Sequence, residues 1–396
     1  MADDPSQVNM PELPEVESAR SLVEAHCVGA KVVKVEFNAD GTFDEKIFAG
    51  TTAAEFRKAL VGKTLSAARR LGKHMWWDLS GSGSPGRSSP LFHFGMTGAM
   101  SIKGKGAMKY KAFVVDVANW PPRFAKLVVT FSNGVALAYT DPRRFGRIRL
   151  VAGDVTRAPP ISELGFDPLL DMPDQKQFAA HFAKRAAPIK SVLLDQKIAA
   201  GVGNWIADEV LYQAAIHPEQ PARSLAPSQV SRMREAMSYV VTSACEAGAD
   251  ADKFPDSWLF HYRWGKVAGK VGGRAISFIT VGGRTTAFVP GVQKKTSAMS
   301  TSAPATEGVG KRKRSTKVES EGVIVEDLTP KREAAKKART TAKKSAPKRT
   351  VAKKPPTAAK KSASKRTVAK KAPTTAKKNP PRRKTAKKAP TTAKKR

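Results

Sequence analysis

Cysteine is almost absent from this chain: 396 residues contain two, Cys27 and Cys245, far apart in sequence. Neither a disulfide framework nor a four-cysteine zinc site can be assembled from them, and a reducing compartment is the expectation. No apolar run is long enough to span a bilayer and no lipidation signal is found, so a membrane partner is set aside. The first residues include Asp3 and Asp4 and lack both the apolar core of a secretory leader and the Arg-rich pattern of a mitochondrial one. Acidic residues are scarce at the other end, where residues 291–396 carry 6 against 34 basic ones and contain no aromatic side chain.

Positive charge is what the chain has in excess. The formal net charge is +36, of which +28 lies in residues 291–396 and +8 in the 290 residues before them. Both parts are basic, so a polyanionic partner is expected, with nucleic acid favoured over a merely soluble cationic protein. Residues 291–396 are mostly Lys, Ala, Thr, Pro and Ser and cannot bury enough apolar surface to fold alone, so a disordered tail is expected. Within it "KRTVAKK" starts at Lys348 and Lys365, and "KAPTTAKK" at Lys371 and Lys388, the same 17-residue shift. This duplication resembles the lysine-rich tails of linker histones. It would neutralise phosphates of DNA or chromatin diffusely, without sequence choice; a solubility tail is the plainer alternative. "KRKR" at 311–314 reads as a nuclear import signal, and the apolar run "VIVED" at 323–327 could add as a strand to a ubiquitin-like modifier.

The remainder is long enough for two or more cores. Residues 13–28 read as a helix, with Pro14 at a first-turn position, Glu15 and Glu17 beside the positive end, and an apolar stripe of Val16, Ala19, Leu22 and Val23. Between 31 and 151, alternating β-branched runs such as "KVVKVEF", "HMWWDL" and "KLVVTF" predict a β-sandwich or barrel of about eight strands with that helix laid on it. Ser132-Asn133-Gly134 marks a hairpin, because Asn-Gly tolerates the positive φ angles of the tight turns. Four helical segments follow, "DQKQFAAHFAKR", "IKSVLLDQKIAA", "NWIADEVLYQAA" and "PSQVSRMREAMSYVVTSACEA", the middle two joined through Gly201-Val202-Gly203. Glycine-joined helices of this kind are a weak helix–turn–helix signal. A Gly- and aromatic-rich hairpin unit completes this part after Asp256.

Several separated pieces carry possible chemistry. Pro11-Glu12 lies beside Glu15: a free proline amine can attack a sugar C1′ while a neighbouring carboxyl moves protons, although the pair also makes an ordinary acidic helix start. Lys73, in "LGKH", stands at a turn between strands. "HFGMTG" (93–98) and "DPRRFG" (141–146) each join a polar or basic group to a large apolar one, Met96 and Phe145. Such wedges fill the gap left when a base leaves the duplex, and such residues equally build cores and turns. Lys190, Asn204 at the helix joint and Arg284 in "TVGGRTTAF" could clamp phosphates.

Taken in order, "MPELPEVE", "LGKH", "HFGMTGAM", "YTDPRRFG", "IKSVLLDQKIAAGVGNWIADEVLYQAAIHP" and "TVGGRTTAF" resemble the formamidopyrimidine-DNA glycosylase and endonuclease VIII family over about residues 11–290. The resemblance implies an α+β multidomain chain: a β-sandwich domain (11–152) behind the N-terminal helix, a helix–two-turn–helix domain (159–252), a finger hairpin (253–290), and, outside the family pattern, a short extension (1–10) and the tail. It implies Pro11 as nucleophile, Glu12 as proton donor and Lys73 as phosphate contact and proton shuttle. His93, Lys190, Asn204 and Arg284 would grip phosphates, and Met96, Arg143 and Phe145 would fill the gap, Arg143 reading the orphaned base. Glu15 and Glu209 match acidic positions near the site. The implied partner is damaged double-stranded DNA, bound by a monomer in the nucleus. The implied reaction is excision of oxidised or ring-opened purines through a Schiff base, then β,δ-elimination.

The chain departs from this pattern twice. Residues 258–290 hold no cysteine, so the finger resembles the zincless form of eukaryotic members and no metal or other cofactor is expected. The same segment lacks the longer loop with which bacterial members cover 8-oxoguanine, so formamidopyrimidines, hydantoins and abasic sites are the expected substrates. The second departure is that nine residues precede Met10. Behind Met10 the Pro11 nitrogen is an amide with no basic lone pair, and the working enzyme is expected to begin at Pro11. A chain that keeps the extension would instead be an inactive damaged-DNA or chromatin-binding homologue.

Overall fold

The computed structural model describes residues 10–38, 40–80, 88–107, 119–267 and 269–295. Residues 1–9, most of the tail, "KRKR" and 323–327 lie outside the described residues. Helix α1 (Leu13–Cys27) opens the fold. Strands β1 (Val32–Phe37), β2 (Leu65–Leu71), β3 (His74–Leu79), β4 (Ser88–His93), β5 (Ala99–Ile102), β6 (Gly106–Ala107), β7 (Ala125–Phe131), β8 (Ala136–Thr140) and β9 (Arg147–Ala152) follow, with a short helix α2 (Ala53–Leu60) after β1. Two antiparallel sheets form, ordered β1-β7-β8-β5-β6 and β2-β3-β4-β9. Their inner faces enclose one core that includes Phe37, Met75, Trp77, Phe92, Phe131 and Tyr139.

The β7–β8 connection shows how local chemistry decides register. Phe131 pairs with Val135 across a three-residue loop, and in it only Gly134 has a positive φ, 82°. The turn is therefore longer than the tight two-residue type that Asn-Gly permits, with glycine at the left-handed position. Helix α2 escapes a periodicity search because only Phe56 and Leu60 are buried in its eight residues. Its order begins with Thr52, whose hydroxyl accepts the Glu55 N–H at 3.2 Å while Glu55 accepts the Thr52 N–H at 2.8 Å.

The second core is helical: α3 (Gln175–Phe182), α4 (Ile189–Leu193), α5 (Asn204–Gln213) and α6 (Pro227–Glu246). The segment expected to be one helix over "IKSVLLDQKIAA" is helical only in its first five residues. Asp195 ends it, its side chain accepting the Lys197 N–H at 3.0 Å and its carbonyl the Ile198 N–H at 2.9 Å. Such local side-chain capture competes with helix propagation.

Helix α1 joins the two cores. Val16, Ala19, Val23 and Cys27 pack in the sandwich, whereas Leu13, one turn earlier, packs among the helices. A buried ion pair adds a latch. Arg70 at the end of β2 bonds Asp167 at 2.5 and 3.1 Å and Glu17 of α1 at 2.7 Å, and Asp167 also accepts the Gly72 N–H at 2.8 Å. Removing one partner of such a pair strands a charge without solvent. Asp167→Ala is expected to lower unfolding stability by about 3–5 kcal/mol in urea titration, and a change below about 1 kcal/mol would show that the latch carries no load.

Candidate active site at the seam of the two domains

Glu12 sits just before α1, almost fully buried, and both its oxygens accept main-chain N–H groups from the start of α5: Trp205 at 2.9 Å and Ile206 at 3.1 Å. A helix N-terminus offers unpaired donors and a positive dipole end, so a carboxylate is held there in a fixed direction. The approach is close. A Cβ on Gly203 would lie 2.2 Å from Glu12 Cδ, and one on Gly201, which also has φ +91°, 2.7 Å from Leu13 Cβ. Glycine is required at both positions for α1 and α5 to meet.

Pro11, Glu12, Glu15 and Lys73 converge here. Pro11 is buried. Glu15 accepts the Glu12 N–H at 3.0 Å. Burial, with the Glu12 carboxylate beside it, pushes the Glu15 carboxyl up to about 8. Burial likewise raises Glu12, against Lys73 and the two amides. Lys73 follows Gly72 in the two-residue β2–β3 turn and donates to the Val202 carbonyl at 3.1 Å. Burial lowers its pKa while Glu12 and Glu15 oppose, and Arg284 adds to the lowering. Gln196 fixes the 201–203 loop that receives Lys73, donating to Val202 O at 2.8 Å and accepting the Gly201 N–H at 3.0 Å. The result is a carboxyl pair, both members raised by burial, facing an ammonium that burial lowers.

Asn204 is the first residue of α5, and its amide donates to Thr285 O at 3.0 Å. Arg284 is exposed at the tip of the hairpin β12 (Ser277–Val281) and β13 (Arg284–Phe288). His93 ends β4 beside His74, ring centroids 4.9 Å apart. Met96 and the Arg143–Phe145 pair lie on two loops that interlock through glycine. A Cβ on Gly95 would lie 2.4 Å from Gly146 N. Asp141 accepts from Thr97 Oγ1 at 2.5 Å and Gly146 N at 2.7 Å, and Arg144 bonds Asp44 at 2.8 Å. Phe145 is left 45% exposed with the Arg143 guanidinium 5.2 Å from its centroid. An exposed aromatic on a braced loop suits insertion into a base stack.

Two expected site residues are not brought to this surface. Lys190 is fully buried, its ammonium bonded to Asp208 at 2.6 Å, Thr286 Oγ1 at 2.7 Å and Thr285 O at 3.3 Å. These contacts tie α4 to α5 and to the finger strand. Glu209 is also buried, accepting Phe260 N at 2.8 Å and Gln213 Nε2 at 2.9 Å. The residue that sequence reasoning missed is its neighbour Asp208, whose carboxylate takes Lys190, Arg263 at 2.7 Å and the Ala287 N–H at 3.1 Å. Its signal was the i+4 spacing from Asn204, which puts both on one face of α5. With a small apolar core of Leu259, Val271, Ile276, Ala287 and Val289, this carboxylate organises a finger whose 33 residues, 258–290, include one His and no Cys. Among the described residues no group of three or more His, Cys, Asp or Glu gathers to hold a metal ion, so these residues do not fit zinc.

Three family models match the chain in order. They are the formamidopyrimidine-DNA glycosylase N-terminal domain over residues 10–148, its H2TH domain over 164–256, and the formamidopyrimidine-DNA glycosylase-like C-terminal domain over 258–290. The chain belongs to the formamidopyrimidine-DNA glycosylase family. The formamidopyrimidine-DNA glycosylase of Arabidopsis thaliana is 46% identical over 288 residues, 72% of this chain and 71% of that protein. The one from Listeria innocua is 31% identical over 297 residues, 72% of this chain and all of that protein. The Lactococcus lactis glycosylase, solved non-covalently bound to DNA containing an AP site, superposes with a TM-score of 0.58 at 27% identity, covering 72% of this chain and all of that one. The same enzyme in complex with DNA containing N7-benzyl-Fapy-dG gives 0.57 at 28% identity over the same shares.

Within this family member Glu209 offers a test of the finger joint. Burial raises its carboxyl from 4.5 to about 7. The folded chain therefore keeps a proton that the unfolded chain releases, so the stability it lends is complete below pH 4.5 and is lost as pH rises to about 7. Glu209→Gln keeps an acceptor and cannot titrate. Between about pH 4.5 and pH 7, wild type should lose up to about 3 kcal/mol more stability than the variant in urea unfolding; parallel profiles would refute the burial of a protonated Glu209.

Proposed function

We propose that this family member is a bifunctional DNA glycosylase and AP lyase of base excision repair. It excises ring-opened and oxidised purines, formamidopyrimidines and hydantoins ahead of 8-oxoguanine, and cleaves the strand by β,δ-elimination. The observation that carries this reading is the convergence of Pro11, Glu12 and Lys73 at the seam, with Glu12 fixed by the first amides of α5.

In the proposed reaction the Pro11 amine attacks C1′ of the damaged nucleotide, the base leaves with a proton, and Glu12 protonates the ring oxygen as the sugar opens to an iminium. Lys73, its proton loosened by burial, serves the flanking phosphate and the proton transfers of elimination. β-Elimination breaks the 3′ C–O bond, δ-elimination breaks the 5′ C–O bond, and the sugar fragment leaves on Pro11 to be hydrolysed. Arg284 and Asn204, at the hairpin tip and the helix start, face the strand from the finger side. Met96, Arg143 and Phe145 fill the vacated stack. No step calls on a metal or redox cofactor. The lysine-rich tail adds sequence-independent affinity for DNA or chromatin, and a nuclear location for a monomeric enzyme completes the proposal.

Every step depends on a secondary amine at Pro11, which an acyl bond to Met10 abolishes. Chains beginning at Met1 and at Pro11 are to be incubated with abasic-site duplex and sodium borohydride. Covalent trapping is expected for the Pro11 chain alone, and Pro11→Gly should weaken it. No adduct from either chain would leave the inactive, damage-binding homologue as the correct reading.

A further inference from the structure

Asp44 is a buried carboxylate that the proposed reaction does not use. It lies in the segment between β1 and α2, where the Phe43 and Phe48 rings stack 4.8 Å apart and Phe48 also meets Phe37 at 5.1 Å. Ile47 and Phe48 are buried in the sandwich core, and the Asp44 carbonyl accepts the N–H groups of both, at 2.9 and 3.0 Å. The Ile47 carbonyl in turn accepts the Ile148 N–H at 2.7 Å, which ties the segment to β9. The core therefore fixes the backbone of Asp44, and its side chain, only 5% exposed, is free to hold something else.

What it holds is the loop of Arg143 and Phe145. One carboxylate oxygen accepts Arg144 Nη2 at 2.9 Å and the other Arg144 Nε at 2.8 Å, the two-pronged geometry that a guanidinium favours. Lys126 of β7 stands 3.3 Å from the second oxygen. Burial would raise the Asp44 carboxyl, but the bonds from Arg144 and Lys126 outweigh it and hold the group below its ordinary value. Arg144 is the middle residue of Arg143-Arg144-Phe145, and its φ of 56° lies in the left-handed region, which a side chain other than glycine's adopts only when held. The turn returns the Arg144 side chain to Asp44 and leaves Phe145 45% exposed. Lys46, two residues after Asp44, covers the Phe145 ring with its ammonium 5.5 Å from the centroid. Asp141 and Thr97 brace the base of the loop, at Gly146 N (2.7 Å) and Arg143 N (3.3 Å). Asp44 braces its tip.

We propose that Asp44 is a positioning residue for lesion recognition, setting through Arg144 the direction in which Arg143 and Phe145 enter the base stack. The inference rests on the reading of the chain as a glycosylase that extrudes a damaged nucleotide, and adds to it the residue that aims the wedge. The consequence is a separation of two affinities. A carboxylate near DNA repels phosphates, so loss of its charge leaves binding to undamaged duplex as it is or tightens it. The wedge enters only where a nucleotide has left the stack, so loss of its direction falls on the damaged site alone.

The test measures equilibrium binding of the full chain to an undamaged duplex and to the same duplex carrying a tetrahydrofuran abasic analogue, with urea unfolding alongside. Asp44→Asn keeps the shape of the side chain and one acceptor oxygen, and removes the charge. It is expected to lower the preference for the abasic duplex about fivefold, with affinity for undamaged duplex equal to wild type or tighter by up to about threefold. Phe145→Ala should lower the same preference, and adding Asp44→Asn to it should change the preference by less than about twofold, because Asp44 acts through the wedge. Arg144→Lys, at a side chain 52% exposed, keeps the charge without the fork. It should repeat the Asp44→Asn loss, and it decides the outcome if Asp44→Asn does not unfold cooperatively. A preference within about twofold of wild type in a folded single variant, an equal loss on both duplexes, or additive losses in the double variant would overturn the role of Asp44. A wild type with no preference for the abasic duplex would refute the damage-recognition reading, and this inference with it. Binding needs no Schiff base, so failure of borohydride trapping leaves the role of Asp44 standing, and failure of the Asp44 test leaves the proposed chemistry standing.

Discussion

The Glu12 carboxylate on the first amides of α5 is the contact on which the arrangement of this protein turns. It joins residues 193 positions apart, one from the strand-rich half and one from the helical half, and it fixes the direction of the peptide that carries Pro11. Everything nearby is shaped to permit it. Gly201 and Gly203 remove the side chains that would hold α1 away. Leu13 enters the helical core while the rest of α1 stays in the sandwich. The Arg70–Asp167 latch and the Lys73–Val202 bond then close the same seam from the sheet side. A site assembled this way is rigid because each of its supports belongs to a packed core.

The finger repeats the principle with a different anchor. Asp208 gathers Lys190, Arg263 and the Ala287 N–H around one carboxylate, so two cations and a strand are held from a single point on α5. Because Asn204 lies one helical turn earlier on that helix, the helix start that receives Glu12 also orients the hairpin that presents Arg284. Pro11, Glu12 and the finger tip are thus referred to one element, α5.

Much of this was legible in the sequence, and the failures have physical causes. Helix α1 is found within one residue of its end, since Pro14, Glu15 and the apolar stripe act locally. The sandwich, the helical segments and the places of Lys73 and Arg284 follow from turn glycines and strand periodicity. Lys190 and Glu209 illustrate what is not local. A lysine and a glutamate look solvent-seeking in a sequence, and only tertiary packing, which supplied Asp208 to one and the Phe260 N–H to the other, makes their burial tolerable. Asp208 itself was passed over because its three partners are distributed over 98 residues, from Lys190 to Ala287, and its i+4 spacing from Asn204 is the one local trace it leaves. The shortened α4 and the added α2 were decided by Asp195 and Thr52, single side chains that outweigh a weak periodicity.

If the seam sets catalysis, its geometry and its rate must change together. The most direct measurement is single-turnover excision of a formamidopyrimidine by Gly203→Ala in the Pro11-initiated chain, alongside duplex binding and urea unfolding. The added methyl pushes on Glu12 Cδ and touches no DNA-facing side chain. A rate loss on the order of a hundredfold, with duplex affinity within about threefold and a cooperative unfolding transition, is the expected result. Excision at the wild-type rate would contradict the claim that Glu12, held at the head of α5, governs the reaction.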